Sequence, residues 1–204
     1  SYWGWQNGKK RNSRDKDVEE PILMLSHYWK INDKNSLNTN VAYQFGKIGN
    51  SRLDFNFTRN PDPTYYRNLP SYFSTMHTSS GQYVGDQEPN LGYAAGAREN
   101  FLANRQINWD KLYRDNVENG ESLSILYEDR TDDKQFTANT ILNSQLSDNI
   151  ILNAGANYRK LKSHNFQNVL DLLGGSSYLD IDPFLSGIRQ ESDIDNPQRS
   201  VVVG

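Results

Sequence analysis

An all-β chain, forming part of an antiparallel transmembrane β-barrel, is what this sequence predicts, and three observations predict it. First, two segments share one alternating pattern. In Ser36–Gly46, Leu37, Thr39, Val41, Tyr43 and Phe45 alternate with Ser36, Asn38, Asn40, Ala42, Gln44 and Gly46; in Asn149–Arg159, Ile150, Leu152, Ala154, Ala156 and Tyr158 alternate with Ile151, Asn153, Gly155, Asn157 and Arg159. Successive strand side chains point to opposite faces, so each segment has a greasy face ending in an aromatic and a wet face rich in Asn, Gln and Gly. Second, connections alternate between tight turns and very long loops, as in outer-membrane barrels. Third, no apolar run reaches the roughly 18 residues of a transmembrane helix, while a closed barrel is the one β structure that lipid tolerates.

The elements follow in order. Residues 1–20 read as the end of a loop, with Lys9, Lys10, Arg11, Arg14 and Lys16 ahead of Asp17, Glu19 and Glu20. A strand covers about 22–31, with Leu23, Leu25, Trp29 and Ile31 sharing a face with His27, and Met24, Ser26, Tyr28 and Lys30 opposite. Asn32–Asn35 makes a tight turn from residues that bond their own backbone. The next strand covers about 36–57, with a bulge or bend expected near Gly46–Asn50. Residues 58–121 form a long outer loop broken by Pro61, Pro63, Pro70 and Pro89, with a short helix at about Trp109–Val117 capped by Asn108. A third long strand covers about 122–146, with an interruption expected near Thr131–Lys134; Phe136, Ala138, Thr140, Leu142 and Leu146 share one face. After a turn at Ser147–Asn149 comes a strand over about 150–162, then a loop over 163–200 holding a short helix at Phe166–Leu173, with Gly174 as its left-handed end. Val201–Val203 opens a further strand.

Composition supports this division. The chain has 204 residues, no cysteine, 35% hydrophobic residues and a net charge of −3. Clear apolar periodicity covers well under half of it, too little for a self-contained soluble domain of this size but enough for a barrel whose greasy face is covered by lipid. The absent cysteines exclude a disulfide framework, and mild acidity without a basic stripe argues against nucleic-acid binding. No signal peptide is visible at Ser1, which fits a mature chain or a fragment.

No catalytic constellation stands out. His27, His77 and His164 lie far apart without metal-ligand spacing. Asp180, Asp182, Asp193 and Asp195 form two Asp-Ile-Asp pairs whose carboxylates share a side of extended chain; solvated loop charge is the first reading and a loop-stabilising calcium the second. Carboxylates that could serve glycoside hydrolysis are plentiful, but none sits on an element that fixes a separation, so no enzyme is expected. The aromatic loops are the best functional candidates: Tyr65, Tyr66, Tyr72, Phe73 and Trp109 present faces that stack on sugars or peptides, or else pack the loop against its neighbours.

The strings Asn60–Phe73, Tyr127–Asp133, Leu146–Asn149 and Tyr158–Asn165 resemble TonB-dependent receptors of the Bacteroidetes type, over roughly residues 22–200. The resemblance implies an interior slice of a barrel of about 22 strands with a plug in its lumen. It further implies import of a bulky nutrient through the outer membrane, driven by TonB, with outer-membrane lipid and a surface lipoprotein as further partners. This chain shows neither the plug nor the TonB-contacting box, and its four or five strands fall short of the roughly 8 needed to close a barrel. The competing expectation is a soluble extracellular β-sandwich that recognises glycans.

Overall fold

The computed structural model describes residues 2–74 and 90–181. Strands dominate and helices are few, so the protein is all-β. In chain order the elements are β1 (Trp3–Gln6), β2 (Lys9–Asn12), β3 (Lys16–Glu19), β4 (Ile22–Asn32), β5 (Asn35–Phe55), a 3-10 turn (Tyr66–Asn68), α1 (Pro70–Ser74), α2 (Leu91–Ala103), α3 (Trp109–Asn119), β6 (Ser124–Ser147) and β7 (Ile150–Asp171). Two compact units partition the chain: Lys16–Asn50 with Asp129–Gln167, and Ser1–Asp15 with Ser51–Glu128 and Asn168–Gly204.

The first of these is a sheet. The β4–β5 hairpin turns at Asp33–Lys34, where Asn32 Oδ1 accepts from Lys34 N and Asn35 Nδ2, both at 2.9 Å, as Asn does in tight turns. Its register sets Leu23 opposite Tyr43, Leu25 opposite Val41 and Trp29 opposite Leu37. β3 then continues along the same edge of β5, with Glu19 opposite Lys47. The break at Glu20–Pro21 follows from chemistry, because proline offers no N–H to a ladder. Gly46 sits against this break with φ +149°, and a Cβ there would lie 1.8 Å from Glu19 O. The expected irregularity near Gly46 is therefore a close approach of chains that only glycine permits; β5 itself continues as a strand.

Side-chain bonds fix the next pairing. Thr39 Oγ1 and Thr140 Oγ1 are 3.1 Å apart, Asn40 Nδ2 donates to Asn139 Oδ1 at 2.9 Å, and Gln145 N donates to Lys34 O at 2.8 Å. These residue numbers rise on β5 as they fall on β6, so the strands are antiparallel. The same holds for β6 and β7, where Thr131 Oγ1 donates to Asn165 Oδ1 at 2.7 Å and Arg159 Nε to Gln135 Oε1 at 2.9 Å. The sheet order is β3-β5-β6-β7, with β4 also on β5, and among the described residues the sheet does not close on itself.

The other unit holds the core. Asn7-Gly8 joins β1 to β2 with φ of 50° and 74°, the left-handed pair that a two-residue hairpin turn requires. Gly4 lets β1 lie flat on the residue 107 backbone, since a Cβ there would meet Ile107 O at 1.9 Å, and Ile107 N donates to Trp3 O at 3.0 Å. Ile107, Trp109, Leu112, Leu126 and Leu173 form the buried cluster, with Leu53 and Tyr113 against it.

Several expectations need correction. Residues 1–20 are not plain loop: they carry the β1–β2 hairpin and β3. The long loop holds α1 and α2 besides α3. β6 runs through Thr131–Lys134 without interruption, and Phe166–Leu173 is not a helix, because β7 extends to Asp171. Cross-strand partners hold that extension in place, such as Asn168 Nδ2 donating to Glu128 Oε1 at 3.0 Å. Leu173 and Gly174, with φ of 51° and 87°, are left-handed but end a strand. Val201–Val203 and His77 lie outside the described residues.

Candidate functional site

Three arrangements in the chain could bear function, and each is built from local rules. The first is the framework around α3. Asn108 Oδ1 caps the helix by accepting from Lys111 N at 3.0 Å, satisfying a backbone donor that the helix leaves open. Trp109, Leu112 and Asn116 recur at helical spacing and are buried together. Trp109 is fully buried, its Nε1 donates to Arg11 O at 3.1 Å, and the Arg11 guanidinium lies 4.3 Å from its ring centre. That position corrects the expectation that Trp109 contacts a ligand: its ring is core. Arg11 donates to Asp171 Oδ2 at 2.6 Å and to Tyr113 Oη at 3.1 Å, and Tyr113 Oη donates to the same carboxylate at 2.7 Å. Burial pushes the Asp171 pKa up, but the hydrogen bonds from Tyr113, Arg11 and Leu173 N outweigh it and hold the carboxyl below its ordinary value.

Asn116 is the polar hub of this unit. Its Oδ1 accepts from Leu123 N at 2.9 Å and Ser124 N at 3.2 Å. Its Nδ2 faces the carbonyls of Ser124 at 2.7 Å, Leu172 at 2.9 Å and Leu173 at 3.2 Å. One amide thereby serves backbone groups from two separate segments at a site without solvent access. Nearby, Tyr178 is buried and donates from Oη to Asp54 Oδ2 at 2.9 Å. Burial raises the Asp54 carboxyl above its ordinary pKa against the opposing bonds from Tyr178 and Phe55 N.

The second arrangement is the aromatic loop. Asp62 organises it: Oδ1 accepts from Thr64 N at 2.8 Å and Thr64 Oγ1 at 2.7 Å, while its carbonyl accepts from Tyr65 N and Asn68 Nδ2, each at 3.0 Å. On this base, ring centres follow one another from Tyr65 to Tyr66 (4.8 Å), Tyr66 to Tyr72 (5.6 Å), Tyr72 to Phe73 (5.3 Å) and Phe73 to Tyr93 (6.0 Å). The first three pairs meet edge to face, the preferred aromatic geometry. Tyr72 is buried, Tyr65 and Phe73 are half-buried, and Tyr66 is exposed. Packing therefore claims Tyr72, while Tyr66 offers an open ring. Arg67 Nε donates to Tyr66 Oη at 2.9 Å and lowers that hydroxyl's pKa. Tyr93 completes the row and was not among the sequence-derived ligand contacts. The signal for it was Asn90, whose Oδ1 caps α2 at Tyr93 N, 3.0 Å away.

The third arrangement is the sheet face. The registers bring Leu23, Leu25, His27, Trp29 and Ile31 of β4, Leu37, Thr39, Val41, Tyr43 and Phe45 of β5, and even-numbered residues of β6 onto one surface. Even-numbered residues of β7 join them through the β6–β7 pairs. Two of its hydroxyls, Thr39 and Thr140, bond each other, and Ser144 Oγ donates to Asn35 Oδ1. Tyr43 and Phe45 stack at 5.5 Å, and Phe136 and Tyr158 lie 6.3 Å apart. These apolar side chains stay open: Leu25 is 71% exposed, Leu146 61% and Tyr158 57%. The opposite face carries Asn40, Gln44, Asn139, Asn153 and Asn157, interrupted by Met24, Tyr28, Ile141 and Ile151.

Among the described residues no three His, Asp or Glu side chains converge. Asp180 is half-buried, and Asp182, Asp193 and Asp195 lie outside the described residues. No described helix is long and apolar enough to cross a membrane. No family model matches the chain, and no curated protein matches it. Among solved structures, the cryo-EM structure of the Gasdermin A3 membrane pore is similar over 88% of this chain and 67% of that one, at 10% identity and a TM-score of 0.24, a score too low to define a shared fold.

Proposed function

We propose that this chain is part of the wall of an outer-membrane β-barrel, that the barrel is of the TonB-dependent receptor type, and that its long loops contribute aromatic contacts to a bulky nutrient. The observation that carries the reading is the continuous, uncovered apolar face of the β3–β7 sheet. Soluble chains rarely expose contiguous apolar patches of such extent without a partner or membrane to cover them. From Phe45 to the row of Leu146 and Ile150 the face runs about 12 residues, or ~40 Å along the strands at ~3.3 Å per residue. At the roughly 40° tilt of such barrels this corresponds to a height of ~30 Å, the thickness of a bilayer's hydrocarbon core. Tyr43, Phe45, Phe136 and Tyr158 cluster toward one end, as an interfacial aromatic girdle does.

The amide-rich opposite face suits a hydrated lumen, and the two open sheet edges suit continuation into further strands. TonB coupling, lipid contact and a lipoprotein partner belong to this reading through the sequence resemblance. The β-sandwich alternative would bury Val41, Leu142 and Leu152 in one dry interior, whereas Val41 and Leu142 are half-buried and Leu152 is exposed.

The experiment is a pair of substitutions on neighbouring residues. Val41→Arg points a charge at lipid and is expected to destabilise the vesicle-inserted protein by about 2–4 kcal/mol if the site lies near the midplane. Asn40→Arg points into the lumen and is expected to cost little. Equal losses at the two positions, measured by urea titration in lipid vesicles, would refute the reading.

A further inference from the structure

The β1–β2 hairpin and the α2–α3 connection enclose an open groove of about 450 Å³, lined by Trp5, Leu102, Asn104, Arg105, Gln106 and Asn108 among others. We propose that this groove is a saccharide-binding subsite with the Trp5 indole as its stacking platform, separate from the Tyr65–Tyr93 row. Trp5 is half-exposed although the hairpin that carries it is pinned to the core. The pinning is specific: Gly4 lies against Ile107 O, Ile107 N bonds Trp3 O, and Trp3 meets Trp5 edge to face at 6.1 Å. Lys10 Nζ lies 5.7 Å from the Trp5 ring centre on the paired strand, and the rest of the indole stays open. A ring held in place in this way is prepared for a flat apolar partner, since little conformational entropy remains to be lost on binding.

The rim supplies the second half of the recognition. The side chains of Asn104, Gln106 and Asn108 are neutral amides. With Asn104 Nδ2 held by Asn100 and Asn108 Oδ1 by Lys111 N, they offer the Asn104 acceptor, the Asn108 donors and both ends of Gln106, a mixed pattern that adjacent sugar hydroxyls match. Asn104 is ordered by its own bond to Asn100 Oδ1 at 2.9 Å, and Asn108 by its cap to Lys111 N. Leu102 adds an apolar flank, 43% exposed. Among the described residues no carboxylate lines the groove. An apolar platform with a few fixed polar groups in a concavity of this size is the general form of a small-ligand site. A pyranose ring, with one C–H face and a hydroxyl rim, satisfies both halves, whereas a purely apolar ligand would strand the amides.

This subsite does not depend on the membrane reading, because every residue lining it belongs to one unit. The test is affinity electrophoresis of the protein, in detergent, through native gels containing soluble starch, dextran, xylan, galactomannan or mixed-linkage β-glucan. The wild type should be retarded by at least one polymer. Trp5→Ala should weaken that retardation about 10-fold or more, a loss of one decade in affinity, and Trp5→Tyr should retain most of it. Gln106→Ala should weaken it less, and Asn119→Ala, an exposed change away from the groove, should leave it unchanged. An unaltered melting profile of Trp5→Ala confirms that the loss is local. Absence of retardation by every polymer overturns the proposal, as does retardation that survives Trp5→Ala. Either result leaves the Val41 and Asn40 comparison untouched, so the two readings fail separately.

Discussion

Replacing Asn116 with alanine should cost this protein more than any surface change. In the folded chain the amide serves five backbone groups. Leu172 O keeps a partner after truncation, because Ser122 Oγ donates to it at 2.6 Å. Four groups lose the amide: Leu123 N, Ser124 N, Ser124 O and Leu173 O. A buried polar group left unsatisfied costs about 1–3 kcal/mol. Water entering the vacated space recovers part of that, so the low end of the range applies and the expected loss is about 3–4 kcal/mol. Asn116→Asp sharpens the test. Its Oδ1 can still accept from the two amides, but its second oxygen faces three carbonyls. At neutral pH the variant buries a charge against carbonyl dipoles, and the loss should equal or exceed that of alanine. At pH 3 the protonated acid donates one bond, and the gap to wild type should narrow. The assay is urea unfolding followed by tryptophan fluorescence, with Trp109 as the buried reporter, and Asn119→Ala as the exposed control. A loss below about 1 kcal/mol for Asn116→Ala, or Asp matching wild type at pH 7, would show that the hub carries no stability.

Three further perturbations follow from the same geometry. Val41→Arg and Asn40→Arg should diverge by about 2–4 kcal/mol in lipid vesicles, as set out above. In a double-mutant cycle, Arg11→Leu and Asp171→Asn should couple by about 1–3 kcal/mol. Asp171 is held below its ordinary pKa of 3.8, so its contribution is present above that value and is lost as pH falls through the folded one; urea midpoints of wild type and Asp171→Asn should converge in that window. Asp54 runs the other way. Burial raises it above 3.8, the folded form binds its proton more tightly, and stability is lost as pH rises through the folded pKa. Asp54→Asn should flatten that slope above pH 4, and an unchanged pH dependence would remove Asp54 as its source.

The faces of the sheet were legible because period-2 alternation is a local property. Leu37 to Phe45 and Ile150 to Tyr158 share a face whatever their partners are, and the registers then align them. What sequence could not deliver was anything decided by a distant partner. Phe166–Leu173 followed by Gly174 imitates a helix end, yet the strand continues to Asp171 because β6 offers it a ladder. Trp109 read as a loop aromatic, although Trp109, Leu112 and Asn116 already stood at helical spacing and marked a buried stripe. The β1–β2 hairpin was missed despite its Asn7-Gly8 signal, because the surrounding lysines and arginines read as loop. The helical spacing with Trp109 and Leu112 marks Asn116 for burial but not as a hub: a lone asparagine in a helix becomes one only when the backbones of residues 123–124 and 172–173 arrive beside it. Asp182, Asp193 and Asp195 stand where the sequence left them, outside the described residues.

Under the membrane reading proposed above, the distribution of burial would follow from the solvent the sheet meets. Every buried hydrophobic among the described residues, from Tyr72 to Tyr178, belongs to the unit that contains α3. The sheet of residues 16–50 and 129–167 has none. Its apolar face instead exposes Leu23, Leu25, Trp29, Ile31, Tyr43, Phe45, Phe136, Leu146, Ile150, Leu152 and Tyr158. Full burial of a large apolar side chain is worth about 1.5–3 kcal/mol. With each of these partly exposed, about 1 kcal/mol apiece remains, on the order of 10 kcal/mol for the face. That equals the whole stability of an ordinary domain, about 5–15 kcal/mol. In water this sheet would forgo a domain's worth of driving force and offer two open edges to aggregation. An apolar medium would recover that energy on one face, while the other mixes amides that keep water with Ile22, Met24, Tyr28, Ile141, Ile151 and Leu161, which are exposed there. The same arithmetic explains why the substitution test belongs at Val41 and Asn40: they are adjacent in sequence, paired into the same strands and turned to opposite faces, and because the higher strand propensity of valine accounts for up to about 1 kcal/mol of any difference, only a larger divergence reports the medium each one meets.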